Sequence, residues 1–339
     1  MRILIATDAW HPQVNGVVRS LEQTAAAAAG FGVEIVFLTP QAFTTVPMPS
    51  YPEIRLALAS PGAVERQIQA LRPDYIHIAT EGPIGLMVRR ACLRRKRPFT
   101  TSYHTRFPEY VAARAPIPEA FSYSLLRRFH NAGAGIMVST PALERELHQR
   151  GFLRLMRWSR GVDTTLFHPR ESTIFDLPRP IFLYVGRVAV EKNIEAFLSI
   201  DLPGSKVVVG DGPALAGLRH AYPAVHFTGA RQGEALAEAY ASADVFVFPS
   251  LTDTFGIVLL EALSSGLPVA AFPVTGPIDV IGDRGVGVLD MDLRKAALAC
   301  LTIPRSRCHD EAKQYSWTAA ARQFVDNVER SCRGLRAAA

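Results

Sequence analysis

The chain has 339 residues, of which 48% are hydrophobic and 20% are charged. Because a single hydrophobic core usually stops growing below this length, two domains are expected. The composition excludes an intrinsically disordered chain, a collagen-like repeat and a coiled coil.

The positive charge is concentrated in the first half of the chain. Residues 1–165 contain 20 Lys and Arg against 12 Asp and Glu, a net +8, and residues 166–339 contain 17 against 19, a net −2, which sum to +6. This imbalance favours a polyanionic partner, such as an anionic membrane, or simply an arginine-rich face in water. The basic segments lack the interleaved aromatic residues of an RNA-binding platform, so no nucleic-acid partner is expected.

The cysteines and the N-terminus bear on the cellular compartment. Cys92, Cys300, Cys308 and Cys332 form no C-x-x-C pair, which argues against a zinc ribbon or a thioredoxin-type site. The start of the chain is apolar for only a few residues before Asp8, so it does not resemble a signal peptide. No run of about 18 apolar residues predicts a membrane-spanning helix. We therefore expect a cytoplasmic protein.

The first half alternates apolar strands with helical stretches. Arg2–Ala6 predicts a buried parallel strand, the loop TDAWHPQVNG follows, and a helix then ends at Gly30 or Gly32. Val33–Leu38 predicts the second strand. The same rhythm continues through the strands DYIHIA, PFTTSY and GIMVST. This pattern predicts an open parallel sheet with helices on both faces.

The rhythm restarts after LFHPRESTIFDLPRP, a proline-rich and charged segment that predicts a linker near residues 165–180. Ile181–Gly186 is the new first strand, and the later strands are KVVVG, AVHFTG, ADVFVFPS and LPVAAF. The expected fold class is α/β, with two doubly wound domains facing across a cleft. Ligands of such sheets bind at the carboxyl ends of the strands.

Several common catalytic motifs are absent from the sequence. There is no G-x-x-x-x-G-K-S/T, no G-x-G-x-x-G after either opening strand, no H-E-x-x-H and no G-x-S-x-G. These absences argue against a P-loop NTPase, a dinucleotide-dependent enzyme, a zinc protease and an α/β-hydrolase.

Two candidate segments of the first half follow strands. A glycine at Gly16, after Asn15, would let backbone N–H groups approach an anion at a helix N-terminus, although taken alone it is an ordinary turn glycine. His104, in SYHTRFPEY, could bond a hydroxyl or move a proton near neutral pH. Taken alone, His104 fits a structural role better than a functional one.

The segment VGRVAVEKN of the second half follows the strand that ends at Gly186. Arg187 can grip two phosphate oxygens with its guanidinium fork, and Lys192 adds a compact charge. A helix is predicted to start near Glu191. The alternative is a solvated helix start with a surface ion pair between Glu191 and Lys192.

The segment PSLTDTFGIVLLEALSSGLPV follows the strand ADVFVF. Thr252 or Thr254 is predicted to cap the helix that follows, whose first N–H groups, Phe255–Val258, favour a phosphate. Asp253 precedes this helix and Glu261 lies on its second turn. These two acids could accept hydroxyl hydrogen bonds from a sugar and a ribose.

Together these segments resemble family 4 of the retaining nucleotide-sugar glycosyltransferases, which have the GT-B fold. The resemblance runs in order through NGVVRSL, SYHTRFPEY, SRGVDTTLFHP, VGRVAVEKN, VGDGP and FVFPSLTDTFGIVLLEALSSGLPV. Family members carry two glutamates separated by seven residues in the last segment. Here Asp253 replaces the first, which withdraws its carboxylate by one methylene, and Glu261 keeps the second.

The resemblance implies a role for each matching residue. Arg187 and Lys192 would hold the donor diphosphate, Glu261 the ribose, and Asp253 the sugar, while His104 would contact the transferred sugar; His104, Arg187, Lys192 and Asp253 form the implied catalytic set. The further donor-binding residues implied are Gly16, Gly161, Asp163, Gly186, Gly210, Phe255, Gly256 and Ile257. Fixed cations and a helix terminus would stabilise the leaving diphosphate, and without a D-x-D motif no metal or other cofactor is expected.

The resemblance also implies the domain pattern: a basic N-terminal acceptor-side domain at 1–165, a nucleotide-sugar domain at 166–314, and a helix within 315–339 that packs back on the first domain. Trp317, Ala321, Phe324 and Val328 lie near one face of that helix.

The segments TDTFG, SYHTRFP and RGVDTTLFHP are similar to those of one branch of the family. This branch contains GDP-mannose-dependent α-mannosyltransferases, sulfoquinovosyl diacylglycerol synthases and bacterial diacylglycerol glycosyltransferases. Many of these glycosylate membrane lipids, so we expect a lipid acceptor and a peripheral position at the inner membrane face. The proposed membrane patch is Arg89, Arg90, Arg94, Arg95, Lys96 and Arg97.

The helix that carries this membrane patch is expected to bury Leu86, Met87 and Leu93.

The alternatives to a lipid acceptor are a mannosyltransferase acting on a soluble, phosphatidylinositol or polysaccharide acceptor, and a non-catalytic nucleotide-sugar-binding protein. A GT-B epimerase or phosphorylase is disfavoured by TDTFG.

Overall fold

A computed structural model of the chain describes residues 1–12, 15–48, 51–112 and 118–336. It divides into two compact units, residues 1–160 with 317–339 and residues 161–316. Residues 13–14 of the loop TDAWHPQVNG and residues 337–339 of the predicted C-terminal segment lie outside the described residues.

The strands are β1 (Arg2–Ala6), β2 (Glu34–Leu38), β3 (Thr45–Met48), β4 (Tyr51–Ala57), β5 (Tyr75–Ile78), β6 (Thr100–Ser102), β7 (Gly135–Val138), β8 (Leu155–Arg157), β9 (Ile181–Val185), β10 (Ser205–Val209), β11 (His226–Gly229), β12 (Val245–Phe248), β13 (Val269–Ala271) and β14 (Gly287–Leu289).

The helices are α1 (Gly16–Ala29), α2 (Pro61–Leu71), α3 (Pro83–Arg94), α4 (Phe107–Ala112), α5 (Glu119–His130), α6 (Pro141–Gln149), α7 (Glu195–Leu198), α8 (Leu215–Ala221), α9 (Gly233–Ala241), α10 (Ile257–Ser264), α11 (Pro277–Val280), α12 (Leu293–Cys300), α13 (Arg305–Ala312) and α14 (Trp317–Arg336). Short 3-10 turns occupy Pro40–Ala42 and Val190–Lys192.

Each unit contains one six-stranded parallel sheet. The order is β2-β1-β5-β6-β7-β8 in the first unit and β11-β10-β9-β12-β13-β14 in the second. In both, the chain starts near the middle, builds to one side, and then crosses over to build the other side. These are two doubly wound Rossmann-like domains, and the expected α/β class is confirmed.

Alternating side chains of the central strands enter two cores, one on each face of a sheet. In β1, Ile3 and Ile5 pack in one core while Leu4 packs in the other. In β9, Leu183 and Tyr184 divide between the two cores in the same way. Helices cover both faces, so these strands are uniformly apolar in sequence, which is why they could be predicted.

Helix α14 belongs to the first unit. It packs against α1 and against β5, β6 and β7, and its residues Ala321, Phe324 and Val328 lie in the core that contains Ile3 and Ile5. Trp317 begins the helix and is only partly buried.

The sequence analysis missed four strands. The antiparallel pair β3 and β4 forms a separate sheet, and β8 and β14 are three-residue strands at the sheet edges. The residues of β8 and β14 are partly exposed, so neither strand forms the buried apolar run that marks the central strands.

Candidate functional site

The crossover of the second sheet lies between β9 and β12, which are hydrogen-bonded neighbours. At such a switch point the loops after the two strands diverge and leave a crevice at the carboxyl edge. The predicted donor segments, VGRVAVEKN and PSLTDTFG, are the loops that follow these two strands. The structure therefore brings together residues that are some sixty positions apart in sequence.

An ion pair joins the two loops. The Nζ of Lys192 lies 2.7 and 2.9 Å from the two carboxylate oxygens of Asp253, and both side chains are about four-fifths buried. The side-chain amide of Asn193 donates to the carbonyl oxygen of Pro249 at 3.1 Å, which ties the same loops a second time. A cation and an anion are thus held side by side at the switch point.

The loop after β9 does not form the helix that the sequence predicts near Glu191. The segment Val190–Lys192 is one 3-10 turn, and the following α7 has only four residues. The turn ends because Asn193 adopts a left-handed conformation, with φ of 51°. Arg187 precedes this turn, and its carbonyl oxygen accepts a hydrogen bond from the Tyr184 hydroxyl at 2.9 Å.

Glycines let the loop after β10 pack on the loop that carries Arg187. Gly210 has φ of +154°, and a Cβ there would lie 1.8 Å from the carbonyl oxygen of Gly186. The N–H of Gly186 donates a hydrogen bond to the backbone carbonyl oxygen of Val209, and the N–H of Val188 donates one to that of Asp211. Gly210 and Gly186 were predicted to bind the donor. In the structure, they allow the two loops to pack closely next to Arg187.

Helix α10 starts differently from the prediction. Its N-cap is Gly256, in the left-handed region with φ of 80°, and no side chain caps the helix. The predicted caps Thr252 and Thr254 are therefore wrong; Thr252 lies near the carbonyl oxygen of Glu191 instead, at 3.4 Å. Only glycine adopts this conformation readily, so TFG places the turn where a threonine could not. The helix begins at Ile257, and no side-chain oxygen caps its first N–H groups.

Glu261 lies inside the second unit. It is 1% exposed, and its Oε2 accepts a hydrogen bond from the Tyr240 hydroxyl at 3.0 Å. Phe255 is also buried and packs in the same core as Tyr240. Nearby in sequence, the Oγ of Ser250 is buried and has no hydrogen-bond partner among the described residues. The sequence did not indicate Tyr240, which stands in no recognisable motif, or Ser250, which lies within the segment PSLTDTFG.

Asp163 and Gly161 lie at the start of the second unit. The Oδ1 of Asp163 accepts from the N–H groups of Thr165 and Leu166, at 3.0 and 3.2 Å, and from the Thr165 hydroxyl. This closed turn explains the motif GVDTT by local structure. The structure does not bring Asp163 to Lys192 or Asp253 by any described contact.

The crossover of the first sheet lies between β1 and β5. Gly16 begins α1 there, and the Oδ1 of Asn15 accepts from the N–H groups of Val17 and Val18. The carboxylate of Asp8 accepts from the N–H groups at the start of α3 and from the Thr80 hydroxyl.

His104 follows β6 and lies against buried aromatic and basic groups. Its Nδ1 is 3.2 Å from Nη2 of Arg160, and its ring meets the Trp158 indole edge-on. Burial, and then the charges of Arg160, His77 and His130, hold the pKa of His104 well below its usual value. His104 is therefore a neutral imidazole near pH 7, which disfavours the proton-transfer role that the sequence left open. Arg160 is a further residue that sequence reasoning missed.

Of the three side chains of helix α3 that were predicted to be buried, Met87 is partly buried against the core and the other two are exposed. Leu86 and Leu93 are 47% and 45% exposed, and the core stripe is instead Ile84, Val88 and Ala91. The prediction had the right helix and the wrong phase. The two leucines consequently share the outer side of α3 with its arginines.

The six basic residues of the patch have different environments. Arg89 donates to the carbonyl oxygens of Arg128 and Phe129 at the end of α5, and Arg97 donates to that of Pro73. Arg94 and Arg95 pair with Glu65. Arg90 and Lys96 are exposed as well.

Helix α5 presents an apolar stripe that sequence reasoning missed. Phe121 and Leu125 are more than half exposed, and Arg128 follows one turn later on the same side. The hydrogen bonds of Arg89 join α5 to α3. We call the exposed side chains of these helices the α3–α5 face: Leu86, Arg90, Leu93, Arg94, Phe121, Leu125 and Arg128.

The described residues contain neither a membrane-spanning helix nor a metal-binding cluster. None of the described helices combines the length and apolar character needed to cross a bilayer. Within residues 1–12, 15–48, 51–112 and 118–336, no group of three or more His, Cys, Asp or Glu side chains is arranged to hold a metal ion.

Solved structures share this architecture. Sucrose-phosphate synthase from Thermosynechococcus elongatus superposes with a TM-score of 0.79 over 100% of both chains, at 22% identity. Anabaena Alr3699/HepE, in complex with UDP and glucose, gives a TM-score of 0.73 over 97% of this chain and 100% of the other, at 16% identity. Two doubly wound domains of this kind define the GT-B class of proteins.

Sequence comparison identifies the family within that class. Residues 14–166 match the family described as Glycosyltransferase Family 4, and residues 179–303 match Glycosyl transferases group 1. The chain is 32% identical over 317 residues to the GDP-mannose-dependent alpha-mannosyltransferase of Mycobacterium tuberculosis, which covers 85% of this chain and 83% of the relative. The chain therefore belongs to glycosyltransferase family 4, and it is a transferase enzyme.

Other relatives have different names. Sulfoquinovosyl transferase SQD2 of Arabidopsis thaliana is 32% identical over 311 residues, which is 81% of this chain but only 60% of the relative. Alpha-monoglucosyldiacylglycerol synthase of Streptococcus pneumoniae is 26% identical over 347 residues, or 89% of this chain and 78% of the relative. The chain thus matches the branch that its motifs resemble.

Proposed function

We propose that the protein transfers a hexosyl group, with retention of anomeric configuration, from a UDP- or GDP-sugar to a hydroxyl group of a membrane lipid. The observation that carries the proposal is the ion pair between Lys192 and Asp253 at the switch point of the second sheet. It holds a cation for a diphosphate beside an anion for sugar hydroxyl groups, within one partly buried site.

The donor would be held by the two loops after β9 and β12. Arg187 and Lys192 would neutralise the charge that develops on the leaving diphosphate, and the N–H groups at Gly256 and Ile257 would add the favourable end of the α10 dipole. Asp253 would exchange Lys192 for a sugar hydroxyl when the donor binds. Fixed charges of this kind need no rearrangement at the moment of reaction.

Glu261 would bind the ribose hydroxyl groups of the donor, next to the Tyr240 hydroxyl that donates to its Oε2. The resemblance to the family supports this role, as it does the roles of Gly16 and His104. His104 would form a hydrogen bond to the transferred sugar.

The donor assignment is tested by Lys192→Ala and Arg187→Ala. Each should lower kcat on the order of a hundredfold, because each removes a charge that stabilises the leaving group. The matched control is Lys295→Ala, which breaks another Lys–Asp pair of the second unit, with Asp290 at 2.7 Å, on an exposed surface. Rates near the parent's in both site variants would remove these residues from the donor site.

Substrate identity is tested with a panel of UDP- and GDP-sugars and with diacylglycerol or phosphatidylinositol in vesicles. Released nucleotide and radiolabelled lipid are measured together, and NMR of the anomeric proton reports retention or inversion. The name of the pneumococcal relative supports diacylglycerol, and that of the mycobacterial relative supports GDP-mannose. Transfer of mannose from GDP-mannose to phosphatidylinositol, with none to diacylglycerol, would favour the alternative, a GDP-mannose-dependent α-mannosyltransferase with a phosphatidylinositol acceptor.

The α3–α5 face supports a lipid acceptor. Exposed apolar side chains beside arginines suit the boundary between the acyl chains and an anionic headgroup layer. Burial of a Phe or Leu side chain is worth about 1.5–3 kcal/mol, and each nearby Arg adds about 1 kcal/mol on an anionic bilayer. We propose that this face holds the enzyme on the inner membrane surface.

Membrane docking is tested by co-sedimentation with anionic vesicles. Phe121→Ser with Leu125→Ser should weaken binding tenfold or more by the burial estimate of about 1.5 kcal/mol or above per side chain. Arg90→Ser with Arg128→Ser, two basic members of the face, should weaken binding too, as should raised salt. Met291→Ser, at an exposed position of the second unit, is the control.

Unchanged sedimentation of both site variants would show that the α3–α5 face does not bind membranes. Donor affinity, measured by calorimetry, should be the same in all of these variants.

A further inference from the structure

Arg160 is a buried cation in the first unit. Arg160 is 5% exposed. Burial lowers the pKa of its guanidinium group to about 9, so the group is still charged at pH 7. Among the described residues, no carboxylate forms an ion pair with it. A buried guanidinium without an acid is costly, so its other contacts require an explanation.

Three groups hold Arg160 in place. Nη1 donates to the carbonyl oxygens of Trp158 and Ser159 at 2.7 and 3.0 Å, and the guanidinium lies 4.3 Å above the Trp158 ring. These contacts leave Nη2 directed at Nδ1 of His104, 3.2 Å away. The orientation of Arg160 is therefore set by groups other than the histidine.

The chemistry of this contact defines the state of the imidazole. All nitrogen hydrogens of a guanidinium are donors, and it has no acceptor. Nδ1 of His104 must then be the acceptor, so it carries no hydrogen. A protonated imidazole has hydrogens on both nitrogens and is incompatible with this contact, and the neutral ring must carry its hydrogen on Nε2.

We propose that Arg160 is a positioning residue that fixes His104 as the neutral Nε2–H tautomer, so that His104 acts on the transferred sugar as a hydrogen-bond donor. The inference rests on the proposed function for the contact between His104 and the sugar. It adds that no proton is exchanged at His104 during transfer. Nε2–H can bond a hydroxyl oxygen of the sugar and keep its proton throughout.

The other titratable groups that act on His104 do not oppose this state. His77 of β5 lies between the hydroxyl groups of Thr100 and Ser102, at 2.8 and 2.7 Å. His130 of α5 lies 2.9 Å from Glu81, which therefore serves His130. Both histidines, like Arg160, disfavour a positive charge on His104.

The test is NMR of the intact chain labelled with 15N-histidine, with His104→Gln used to assign the signal. Long-range 15N–1H correlations should show hydrogen on Nε2 and none on Nδ1 of His104 throughout pH 5.5–8, because the ring does not titrate. A signal from the Nδ1–H tautomer, or titration of His104 near pH 6.5, would overturn the proposal without any variant of Arg160.

Variants of Arg160 separate the hydrogen bond from general packing. Arg160→Met removes the donor while it keeps an apolar stem, and it should let His104 populate both tautomers and titrate. Arg160→Lys keeps a charged donor and should restore the parent signal. An Arg160→Met spectrum identical to the parent's, in a folded protein, would refute the positioning role.

The kinetic readout distinguishes the inference from the proposed function. Arg160→Met should lower kcat about tenfold to a hundredfold with little change in the donor KM, by analogy with loss of one positioned donor, and Arg160→Lys should recover most of it. If His104→Gln retains the parent kcat, His104 does not act on the sugar, and the functional half of the inference fails even where the tautomer is as expected.

Discussion

Replacement of Gly210 by alanine tests whether close backbone packing positions the donor loop. A Cβ at this position would lie 1.8 Å from the carbonyl oxygen of Gly186, whereas real Cβ contacts below 3.0 Å essentially never occur. The two loops must therefore separate by at least 1.2 Å, the difference between these distances. Arg187 directly follows Gly186, so the displacement reaches the guanidinium proposed to hold the diphosphate.

The expected magnitude has two parts. Overpacking costs about 1–3 kcal/mol and a backbone conformation that side chains rarely adopt about 1–3 kcal/mol, so Gly210→Ala should lower the free energy of unfolding by about 2–6 kcal/mol. A displacement of about 1 Å in a site can cost about a hundredfold in rate. We expect kcat/KM to fall by that order.

Two other glycines of the second unit separate these contributions. Gly229 has φ of +77° but no atom within 4 Å of a built Cβ, so Gly229→Ala should cost only the φ contribution of about 1–2 kcal/mol. Gly217 lies in α8 with open space around it, and Gly217→Ala should stabilise the helix by up to about 1 kcal/mol.

Urea unfolding followed by circular dichroism gives the free energies, and calorimetry with UDP and GDP gives nucleotide affinity. If Gly210→Ala unfolds like Gly229→Ala and binds nucleotide like the parent, close packing at Gly210 does not position the donor loop. In that case the loops would be able to separate without cost, and Gly210 would not support Arg187.

Tyr240→Phe removes the hydroxyl that donates to buried Glu261, and urea unfolding should show a loss of about 1.5–3 kcal/mol, since hydrogen bonds to charged groups have this value; an unchanged midpoint would contradict it. Burial, with the charges of Arg160 and His130, lowers the pKa of His77 to about 3. Between pH 6.5 and about 3 the unfolded chain alone binds the proton of His77, so His77 should contribute a fall in the free energy of unfolding of about 1.4 kcal/mol per pH unit on acidification, and His77→Gln should have a shallower slope by that amount. The four cysteines are buried, and burial raises the pKa of three of their thiols to about 12; native protein at pH 8 should react slowly with a thiol reagent, and fast reaction without urea would show that these sites open.

Much of the fold could be predicted because the central strands are covered on both faces. Strand β1 is Arg2–Ala6 in both the prediction and the structure, and Ile181–Val185 differs from the prediction by one residue. Uninterrupted apolar runs between turn residues are a strong signal for such strands. The edge strand β8 has partly exposed residues and no such run, so it was missed.

The phase of α3 could not be read from its sequence. Apolar residues occupy several sides of this helix, and more than one stripe could face the core. Ala91 and Cys92 are buried in the core that contains Leu4, whereas Leu86 and Leu93 are exposed. Packing against neighbours decided which apolar residues were buried, and hydrophobicity alone did not distinguish them.

The sequence by itself determined which residues stand at the ends of parallel strands, because strand direction and loop position follow from the order of apolar runs and turns. This was enough to bring Arg187 and Asp253 to one edge of one sheet. The tertiary structure alone decided which atoms meet there and elsewhere. The bond between Arg160 and His104 joins residues 56 positions apart, and that between Tyr240 and Glu261 spans 21. Contacts of this kind depend on the direction and burial of each side chain, which the packing of whole elements sets and which no local pattern in the chain encodes.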